Sequence, residues 1–403
     1  MTLPSFINEI IDKIEVSGFE AFAVGGCVRD FLLKKEPSDW DITTSAEPCD
    51  IIEIFSKQRT VPTGIQHGTI TVLTEHGSVE VTTYRIDGEY SDFRRPESVI
   101  FSKSLKDDLS RRDFTINAMA YNQKSGLIDC FGGQDDLSKR LIRCVGAPQK
   151  RFSEDALRIM RALRFGATLD FEIEEDTSKA IFSCRHLLAC IAKERISAEL
   201  SRLIVANNPL DILINYRVIF AEILDFDADA KSDLWEKNVQ SVCRTEEILP
   251  LRLALLLDGL NEEVSPGRIL KNLKYDNKTV SCVKMLASYL NKDMPDDPVS
   301  IKKELSHTGA EDFELILKAR LAKFPEQASS LNNINEAFKK ILTEKQCYTL
   351  KDLAVNGTDI QTAFNTKGKE TGELLKLLLD AVICEKCENN KNKLMEYINK
   401  NLL

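Results

Sequence analysis

The chain has 403 residues, of which 43% are hydrophobic and 29% are charged, and its formal net charge is -9. A chain of this length and apolar content is expected to fold into about two to four domains, which excludes an intrinsically disordered protein. The acidic balance also excludes a protein whose whole surface attracts nucleic acid, so any RNA contact must use local basic patches.

The first predicted elements are a helix, a strand, a glycine turn and a second helix. Apolar residues at helical spacing predict the first helix over residues 3–17, and an apolar strand follows at 19–24. Gly25 and Gly26 then form a tight turn into a helix over 28–34. Glycines let the backbone approach a ligand closely, and free N–H groups at a helix start attract anions. The turn is a candidate phosphate site, although such pairs are most often only turns.

Two aspartates in the next segment, residues 38–44, carry the most information. Side chains alternate along a strand, so Asp39 and Asp41 are predicted to share one exposed face with Thr43. Two carboxylates about 7 Å apart, at ~3.3 Å per residue, can converge on a hard divalent cation such as Mg²⁺. An Asp-x-Asp alone is more often a solvated strand edge. Its position after a glycine turn favours magnesium and phosphate chemistry.

A hairpin is predicted next, with arms at residues 69–74 and 79–84. Glu80 lies in the second arm. If that arm pairs beside the aspartate strand, Glu80 can supply a third acidic group. The alternative is a surface glutamate on an edge strand.

Two segments rich in arginine follow the hairpin. The polar loop over residues 87–96 contains Arg94 and Arg95, which we expect to reach phosphates when the loop closes. The cluster at 111–113 is predicted to open an apolar helix, and a charged helix start is its plainer interpretation. Near a metal site, a guanidinium that forks onto phosphate oxygens fits a nucleotide pocket, which makes Arg112 the candidate.

A helix predicted over residues 153–168 carries a further pattern, with Ser153 as its expected N-cap. Asp155 and Arg158 lie within one turn. Cytosine and adenine both present an amino group beside an unprotonated ring nitrogen, which a carboxylate and a guanidinium can read. The wrong base would leave buried polar groups unpaired, at about 1–3 kcal/mol each. The alternative is an intrahelical ion pair worth a few tenths of a kcal/mol.

From about residue 141 onward, strand signals nearly vanish and helical patterns dominate. The predicted fold class is therefore an α+β head, a mixed sheet with helices, followed by an all-α remainder. Basic residues outnumber acids by seven to two in residues 140–164 and by five to one in 266–284. These segments are candidate RNA contacts, or solvated helix faces. Cys384 and Cys387 form a lone C-x-x-C pair, so no zinc site is predicted.

The eleven cysteines are scattered, and no segment has the pattern of a secretory signal. Reduced thiols in the cytoplasm are therefore expected. No apolar run approaches the roughly 18 residues that span a bilayer, which predicts no membrane association.

Together these motifs resemble one family, the class II tRNA nucleotidyltransferases or CCA-adding enzymes, whose head is shared with bacterial poly(A) polymerases. The ordered motifs are Gly25-Gly26-x-x-Arg29-Asp30 with Asp39-x-Asp41, Arg111-Arg112-Asp113-Phe114-Thr115-Ile116-Asn117-Ala118, Asp129-Cys130-Phe131-Gly132-Gly133-Gln134-Asp135-Asp136-Leu137, and Glu154-Asp155-x-x-Arg158. The resemblance covers roughly residues 20–170; beyond about 210 only the helical character agrees.

The resemblance implies an enzyme that adds C, C and A to a tRNA 3′ end from CTP and ATP without a nucleic-acid template. It implies a catalytic head over residues 1–140, a base-selecting neck over 141–210, a body over 211–300 and a tRNA-binding tail over 301–403. The RNA 3′-hydroxyl would attack the nucleotide α-phosphate in line and release pyrophosphate with the help of Mg²⁺.

The resemblance also assigns roles to single residues. Asp39 and Asp41 would hold Mg²⁺, and Glu80 would be the third catalytic carboxylate, on a looser alignment. The implied nucleotide-binding residues are Gly26, Arg29, Arg112, Asp155, Arg158, Arg161 and Arg164.

Three alternatives remain open. An enzyme that adds only A would keep every motif. A poly(A) polymerase is less similar, because those relatives generally have proline where Ala156 follows Asp155. A catalytically silent RNA-binding protein is disfavoured by the intact pair of Asp39 and Asp41, which a dead site does not need.

Overall fold

The computed structural model describes residues 2–88 and 98–401, which divide into two compact units. The first unit holds the residues through Ala228 together with Asn272–Tyr275, and the second holds Asp229–Lys271 and the residues from Asp276 onward. Within the described ranges, no helix is both long enough and apolar enough to cross a membrane.

The N-terminal part of the first unit is built on β-strands. They are β1 (Ala21–Val24), β2 (Asp41–Thr44), β3 (Thr60–Gly64), β4 (Thr69–Thr74), β5 (Gly77–Thr83), β6 (Arg85–Asp87), β7 (Val99–Phe101), β8 (Met119–Asn122), β9 (Gly126–Asp129), β10 (Leu141–Ile142) and β11 (Glu172–Ile173). Seven form one mixed sheet in the order β3-β4-β5-β2-β1-β8-β9. Its neighbours pair antiparallel except β2 and β5, which are parallel. The remaining strands form two small pairs, β6 with β7 and β10 with β11.

The helices of the first unit are α1 (Ser5–Val16), α2 (Gly26–Leu32), α3 (Pro48–Ile54), α4 (Leu105–Ser110), α5 (Gly133–Lys139), α6 (Pro148–Glu154), α7 (Leu157–Leu169), α8 (Glu175–Cys184), α9 (Lys193–Ile204), α10 (Leu210–Asn215) and α11 (Arg217–Leu224). Helix α1 confirms the prediction over residues 3–17, because its four isoleucines at positions 7, 10, 11 and 14 are all buried. The pair of α7 and α9 packs together and supplies much of the wall behind the site described below.

The central strands explain why the site is rigid. All four residues of β1 are buried, as expected for a strand covered on both faces. The predicted hairpin is confirmed, with Thr74 paired to Gly77 across a two-residue turn. Below the sheet, a cluster that includes Phe22, Tyr84 and Leu109 forms the local core. The functional side chains described next therefore project from a firmly packed scaffold.

The second unit is helical. Its helices are α12 (Ser232–Cys243), α13 (Leu249–Leu256), α14 (Pro266–Asn272), α15 (Asn277–Tyr289), α16 (Pro298–Thr308), α17 (Ala310–Lys323), α18 (Ala328–Thr343), α19 (Gly357–Phe364), α20 (Lys369–Ile383) and α21 (Lys391–Asn401). One buried cluster around Phe313 and Phe338 joins α16, α17 and α18, and another around Leu378 and Ile398 joins α19, α20 and α21. The predicted fold class, an α+β head with an all-α remainder, is confirmed.

Candidate active site

One pocket of the first unit collects most of the predicted site. It has a volume of about 310 Å³. Seven predicted residues line it: Gly26, Arg29, Asp39, Asp41, Arg112, Arg161 and Arg164. The glycine turn, the aspartate strand and α7, which were identified from separate motifs, therefore meet at one place. A larger pocket of about 580 Å³ beside Arg140 and Tyr216 contains none of the predicted residues.

The two aspartates lie at the start of a central strand. Strand β2 begins at Asp41, so Asp39 lies before the strand and the predicted alternation through residue 38 is wrong. Thr43, which was expected on an exposed face, is fully buried and donates its hydroxyl to Asp108 at 3.0 Å. The reason is that α4, which carries Asp108, covers this part of the sheet. Both aspartates nevertheless stay exposed and line the same pocket.

The hairpin places Glu80 next to the aspartates. Strand β5 runs parallel to β2, and Glu80 is opposite Asp41 in the register. Although Asp41 is exposed by surface area, protein atoms surround it closely enough that desolvation raises its pKa. The guanidinium of Arg112 counteracts this, whereas the charges of Glu80 and Asp39 raise the pKa of Asp41 further. These three carboxylates are a suitable donor set for a hard cation.

Asp39, Asp41 and Glu80 are close enough for their charges to repel, but their side chains do not converge on one point. Across residues 2–88 and 98–401, no group of three His, Cys, Asp or Glu side chains is arranged tightly enough to hold a metal ion. The charges of Glu80 and Asp39 contribute to the raised pKa of Asp41, and a bound divalent cation would offset them.

The turn requires glycine at position 25 for two reasons, its backbone conformation and the closeness of Arg112. Gly25 has a φ of +82°, in the left-handed region that favours glycine. A Cβ at this position would lie 2.9 Å from Nη1 of Arg112. Helix α2 starts at the next residue and carries Arg29, which donates to Oδ1 of Asn117 at 2.7 Å. The turn therefore lets two arginines approach the same pocket.

Arg112 follows a helix rather than opening one, so the predicted helix start at 111–113 is wrong. Ser104 caps α4 upstream, and Arg111 is the C-cap. Arginines suit this position because they complement the negative end of a helix. Asp108 lies 2.7 Å from Arg111 and 3.5 Å from Arg112. Burial alone would raise the pKa of Asp108, but the two guanidiniums outweigh it and hold that pKa below its ordinary value.

Two of the three arginines of α7 line the pocket, and each is paired with a carboxylate. Arg161 donates to Oδ2 of Asp113 through Nε at 2.8 Å and Nη2 at 2.6 Å. Burial would raise the pKa of Asp113, but Arg161 outweighs this effect and the pKa falls to about 2. Arg164 pairs with Glu199 of α9. Both arginines thus keep a fixed orientation while still lining the pocket.

Asp155 and Arg158 do not line the pocket, and their side chains bond to other residues, although the Arg158 N–H donates to the Asp155 carbonyl. The helix predicted over 153–168 is interrupted: α6 ends at Glu154, α7 begins at Leu157, and Asp155 has extended backbone angles. Asp155 accepts from Arg195 at 3.0 Å, and Arg158 donates to Glu154 at 2.7 Å. The alternative interpretation, an ion pair between Asp155 and Arg158, is therefore not what this conformation shows, and the base-reading role of the two residues stays a prediction.

The expected N-cap is also wrong. The hydroxyl of Ser153 donates to the Lys150 carbonyl within α6, and the carboxylate of Asp155 accepts from the Leu157 N–H instead. A short polar side chain between two helices satisfies the first free N–H of the second.

Several residues in contact with the predicted site residues were not themselves predicted, including five outside the first motif. These five are Asp113, Asn117, Phe165, Arg195 and Glu199. The first two lie inside the second motif, and Phe165 was interpreted only as core. The last two are four residues apart in α9. Two charged residues at that spacing lie on the same side of an amphipathic helix, and this was the sequence signal that could have identified them.

The two basic segments behave differently. In residues 140–164, six of the seven basic side chains are ion-paired: Arg140, Arg143, Arg151, Arg158, Arg161 and Arg164. The prediction of an RNA patch there is therefore weakened, because the charge is used internally. In residues 266–284, all five are exposed and make no ion pair with any residue that the structure describes: Arg268, Lys271, Lys274, Lys278 and Lys284. Arg94 and Arg95 lie outside the described residues.

Comparisons with known proteins give a consistent picture. Three protein-family models match the chain. The family described as "Poly A polymerase head domain" matches residues 21–143, and "Probable RNA and SrmB- binding site of polymerase A" matches 170–217. The family described as "tRNA nucleotidyltransferase domain 2 putative" matches 250–398. The chain is 38% identical to the CCA-adding enzyme of Ligilactobacillus salivarius, covering 97% of this chain and 95% of the relative. It is 36% identical to that of Enterococcus faecalis, covering 99% and 97%.

Solved structures agree with these relatives. The CCA-adding enzyme of Bacillus stearothermophilus in complex with CTP is 32% identical, with a TM-score of 0.79 over 100% of this chain and 98% of that one. A Thermotoga maritima structure, in complex with tRNA, has a TM-score of 0.69 over 99% and 95% at 20% identity, and supports the fold alone.

Proposed function

Because the chain belongs to the family of CCA-adding enzymes, we propose that the pocket lined by Asp39, Asp41 and the four arginines is its active site. The enzyme is a tRNA nucleotidyltransferase that adds C, C and A to the tRNA 3′ end from CTP and ATP. The observation that carries the assignment is the meeting of exposed carboxylates and guanidiniums in one pocket of the first unit. Carboxylates suit a hard cation, and guanidiniums suit the phosphates of a nucleotide.

Asp39 and Asp41 would hold Mg²⁺, with Glu80 beside them as the third carboxylate. When bound, Mg²⁺ lowers the pKa of an attacking hydroxyl and neutralises the leaving pyrophosphate. The protein's own contribution is to fix the spacing of the ligands, through the parallel pairing of Asp41 with Glu80. The raised pKa of Asp41 supports this role, because its desolvated negative charge gains most from a cation.

Gly26, Arg29, Arg112, Arg161 and Arg164 would bind the nucleotide's phosphates. Arg112 retains hydrogen-bonding capacity, since its buried Nε has no partner within the described residues. Phosphoryl transfer depends mainly on positioning and charge stabilisation, which fixed arginines provide.

We assign base selection to Asp155 and Arg158. A carboxylate that accepts from an amino group and a guanidinium that donates to a ring nitrogen accept C and A but reject U and G. In this conformation Arg195 and Glu154 occupy the two groups. Base reading therefore requires these partners to be exchanged for the base, and each exchange substitutes one charge-assisted bond for another.

Contacts to tRNA are assigned to the basic segment at 266–284, whose five cations are exposed and lack ion-pair partners among the described residues. The domain scheme proposed with it is a head over 1–140, a neck over 141–210, a body over 211–300 and a tail over 301–403. A cytoplasmic location is proposed as well, since all eleven cysteines are free thiols.

One assay tests the function. Purified protein is incubated with Mg²⁺, single labelled nucleotides and tRNAs that lack CCA, lack only the terminal A, or are complete. We expect C and then A on the first substrate, A on the second and nothing on the third. Addition of A alone would identify an A-adding enzyme, and long A tracts would identify a poly(A) polymerase.

A double variant tests the metal ligands. D39A/D41A should abolish incorporation while leaving the dissociation constant for tRNA nearly unchanged, because the carboxylates are not placed to bind the RNA backbone. Persistent incorporation would refute the ligand assignment, and tRNA binding without any incorporation in the wild type would identify a silent RNA-binding protein.

A further inference from the structure

Phe165 lies where three arginines of the pocket come together. It belongs to α7, is only 5% exposed and lines the pocket. The guanidinium carbons of Arg164, Arg29 and Arg161 lie 3.9, 5.0 and 5.4 Å from the centre of its ring. Phe114, which is fully buried, packs edge-on against the same ring at 5.8 Å and 83°. The ring is thus fixed by the core and surrounded by cations.

Like charges at this density repel one another. Burial lowers the pKa of Arg164, Glu199 counteracts this, and the positive charge of Arg161 lowers it again. The three arginines do have carboxylate partners, but these are Asp30 in α2, Asp113 in a connecting segment and Glu199 in α9. No carboxylate is shared by the three arginines in these pairings, whereas the ring is near each of them. The negative face of an aromatic ring attracts guanidiniums without neutralising their charge.

We propose that Phe165 is a positioning residue: its ring holds Arg29, Arg161 and Arg164 together, so that they form a ready-made wall for the phosphates of a nucleoside triphosphate. This inference rests on the proposed function, since it deepens the role of the same pocket. The ring does not replace the carboxylate partners. It keeps three charged groups close together while their remaining N–H donors stay available to a ligand, which lowers the cost of ordering them on binding.

The ordinary alternative is that Phe165 only fills space in the core. Shape and charge distribution can be separated by fluorination, because fluorine withdraws electron density from the ring while changing its shape little. Phe165 is replaced in the full-length chain by mono-, tri- and pentafluorophenylalanine, and F165L serves as the apolar limit. KM and kcat for CTP and ATP are measured on tRNAs lacking CCA or only A, together with the thermal unfolding midpoint.

Positioning by the ring predicts that KM for both nucleotides rises stepwise with fluorination, by about tenfold for the pentafluoro ring, while kcat stays within about threefold. The unfolding midpoint should stay within about 3 °C across the fluorinated series. The matched control is Phe171 in the same unit, whose ring lies 5.9 Å from the guanidinium carbon of Arg140 beside the other pocket. Fluorination there should leave KM unchanged.

The outcomes separate the two claims. If the wild-type enzyme incorporates nucleotides but KM is flat across the fluorinated series, Phe165 is a space-filling residue and the inference is overturned. Equal KM changes at Phe171 would overturn it too. If the wild-type protein incorporates no nucleotide, the proposed function itself fails. Loss of folding in F165L decides nothing alone, and the nearly isosteric fluorinated series then carries the test.

Discussion

The ion pair between Asp113 and Arg161 allows a sharp prediction for D113N. Asp113 is 8% exposed, and its carboxylate accepts two hydrogen bonds from Arg161, one from Asn117 and one from the Phe114 N–H. The amide of asparagine keeps the shape but removes the charge. The variant therefore leaves a guanidinium at the pocket wall without its counter-ion, and we expect both stability and nucleotide affinity to fall.

The magnitude follows from the pKa of Asp113. That pKa falls from an ordinary 3.8 to about 2, which corresponds to about 2.5 kcal/mol at ~1.4 kcal/mol per pH unit. Breaking a buried pair can cost ~3–5 kcal/mol, but Arg161 is one-third exposed and water screens part of its charge. We expect D113N to lower the free energy of unfolding at pH 7 by about 2–4 kcal/mol.

The pH dependence has a definite sign. Because the folded-state pKa of Asp113 lies below its unfolded value, its contribution is fully present above about pH 4 and is lost as the pH falls through 2. The gap between wild type and D113N should therefore be largest at pH 7 and shrink to about half at pH 3. Urea denaturation of the full chain at pH 7, 4 and 3 measures this gap.

The control for this experiment is D135N. Asp135 pairs with Lys139, and both side chains are well exposed, so its loss should change the free energy of unfolding by less than about 0.5 kcal/mol. The reasoning is refuted if D113N and wild type have the same urea midpoint at pH 7, or if their gap is the same at pH 3 as at pH 7.

Three further predictions test other parts of the molecule. G25A should raise KM for CTP about tenfold, because a Cβ would lie 2.9 Å from a guanidinium nitrogen; G18A, at similar φ but with nothing within 4 Å, should leave KM unchanged. D155A removes the carboxylate that is proposed to accept from the amino group of the base, so the ratio of kcat/KM for CTP over UTP should fall about tenfold; an unaltered ratio would contradict this. K278E should weaken tRNA binding and reduce its salt dependence by about one phosphate contact in filter-binding assays, and equal salt slopes would argue against the patch.

How much the sequence could predict depended on whether the signal was local. The apolar pattern and the turn residues predicted the hairpin and the glycine turn, which are local features, whereas the parallel pairing that places Glu80 opposite Asp41 joins strands far apart in the sequence and was left open. The interruption at Asp155 was missed, since nothing in its neighbours breaks a helix and the competing bond to Arg195 is forty residues away. Partner choice among charged side chains is decided by tertiary packing, which periodicity does not encode.

The same limit explains the first basic segment. Seven basic residues within 25 positions predicted an RNA surface, yet six are ion-paired: four with acids outside the segment, such as Asp170 and Glu199, and two with Glu154 inside it. Only the three-dimensional structure shows which of these charges are paired within the protein. The later segment, by contrast, kept its exposed charge as its composition suggested.

The parallel register of β2 and β5 determines which side chains lie beside the two aspartates. Glu80 is opposite Asp41 in the parallel register of β2 and β5, and the two-residue turn between Thr74 and Gly77 fixes how β5 pairs with β4 on its other side. Sliding β5 by one residue would turn Glu80 toward the interior and bring Val79 or Val81 to the cation's side. The alignment of two strands that are distant in the sequence thereby decides whether a third carboxylate faces the proposed metal site, and changes that shift this alignment are expected to silence catalysis without unfolding the protein.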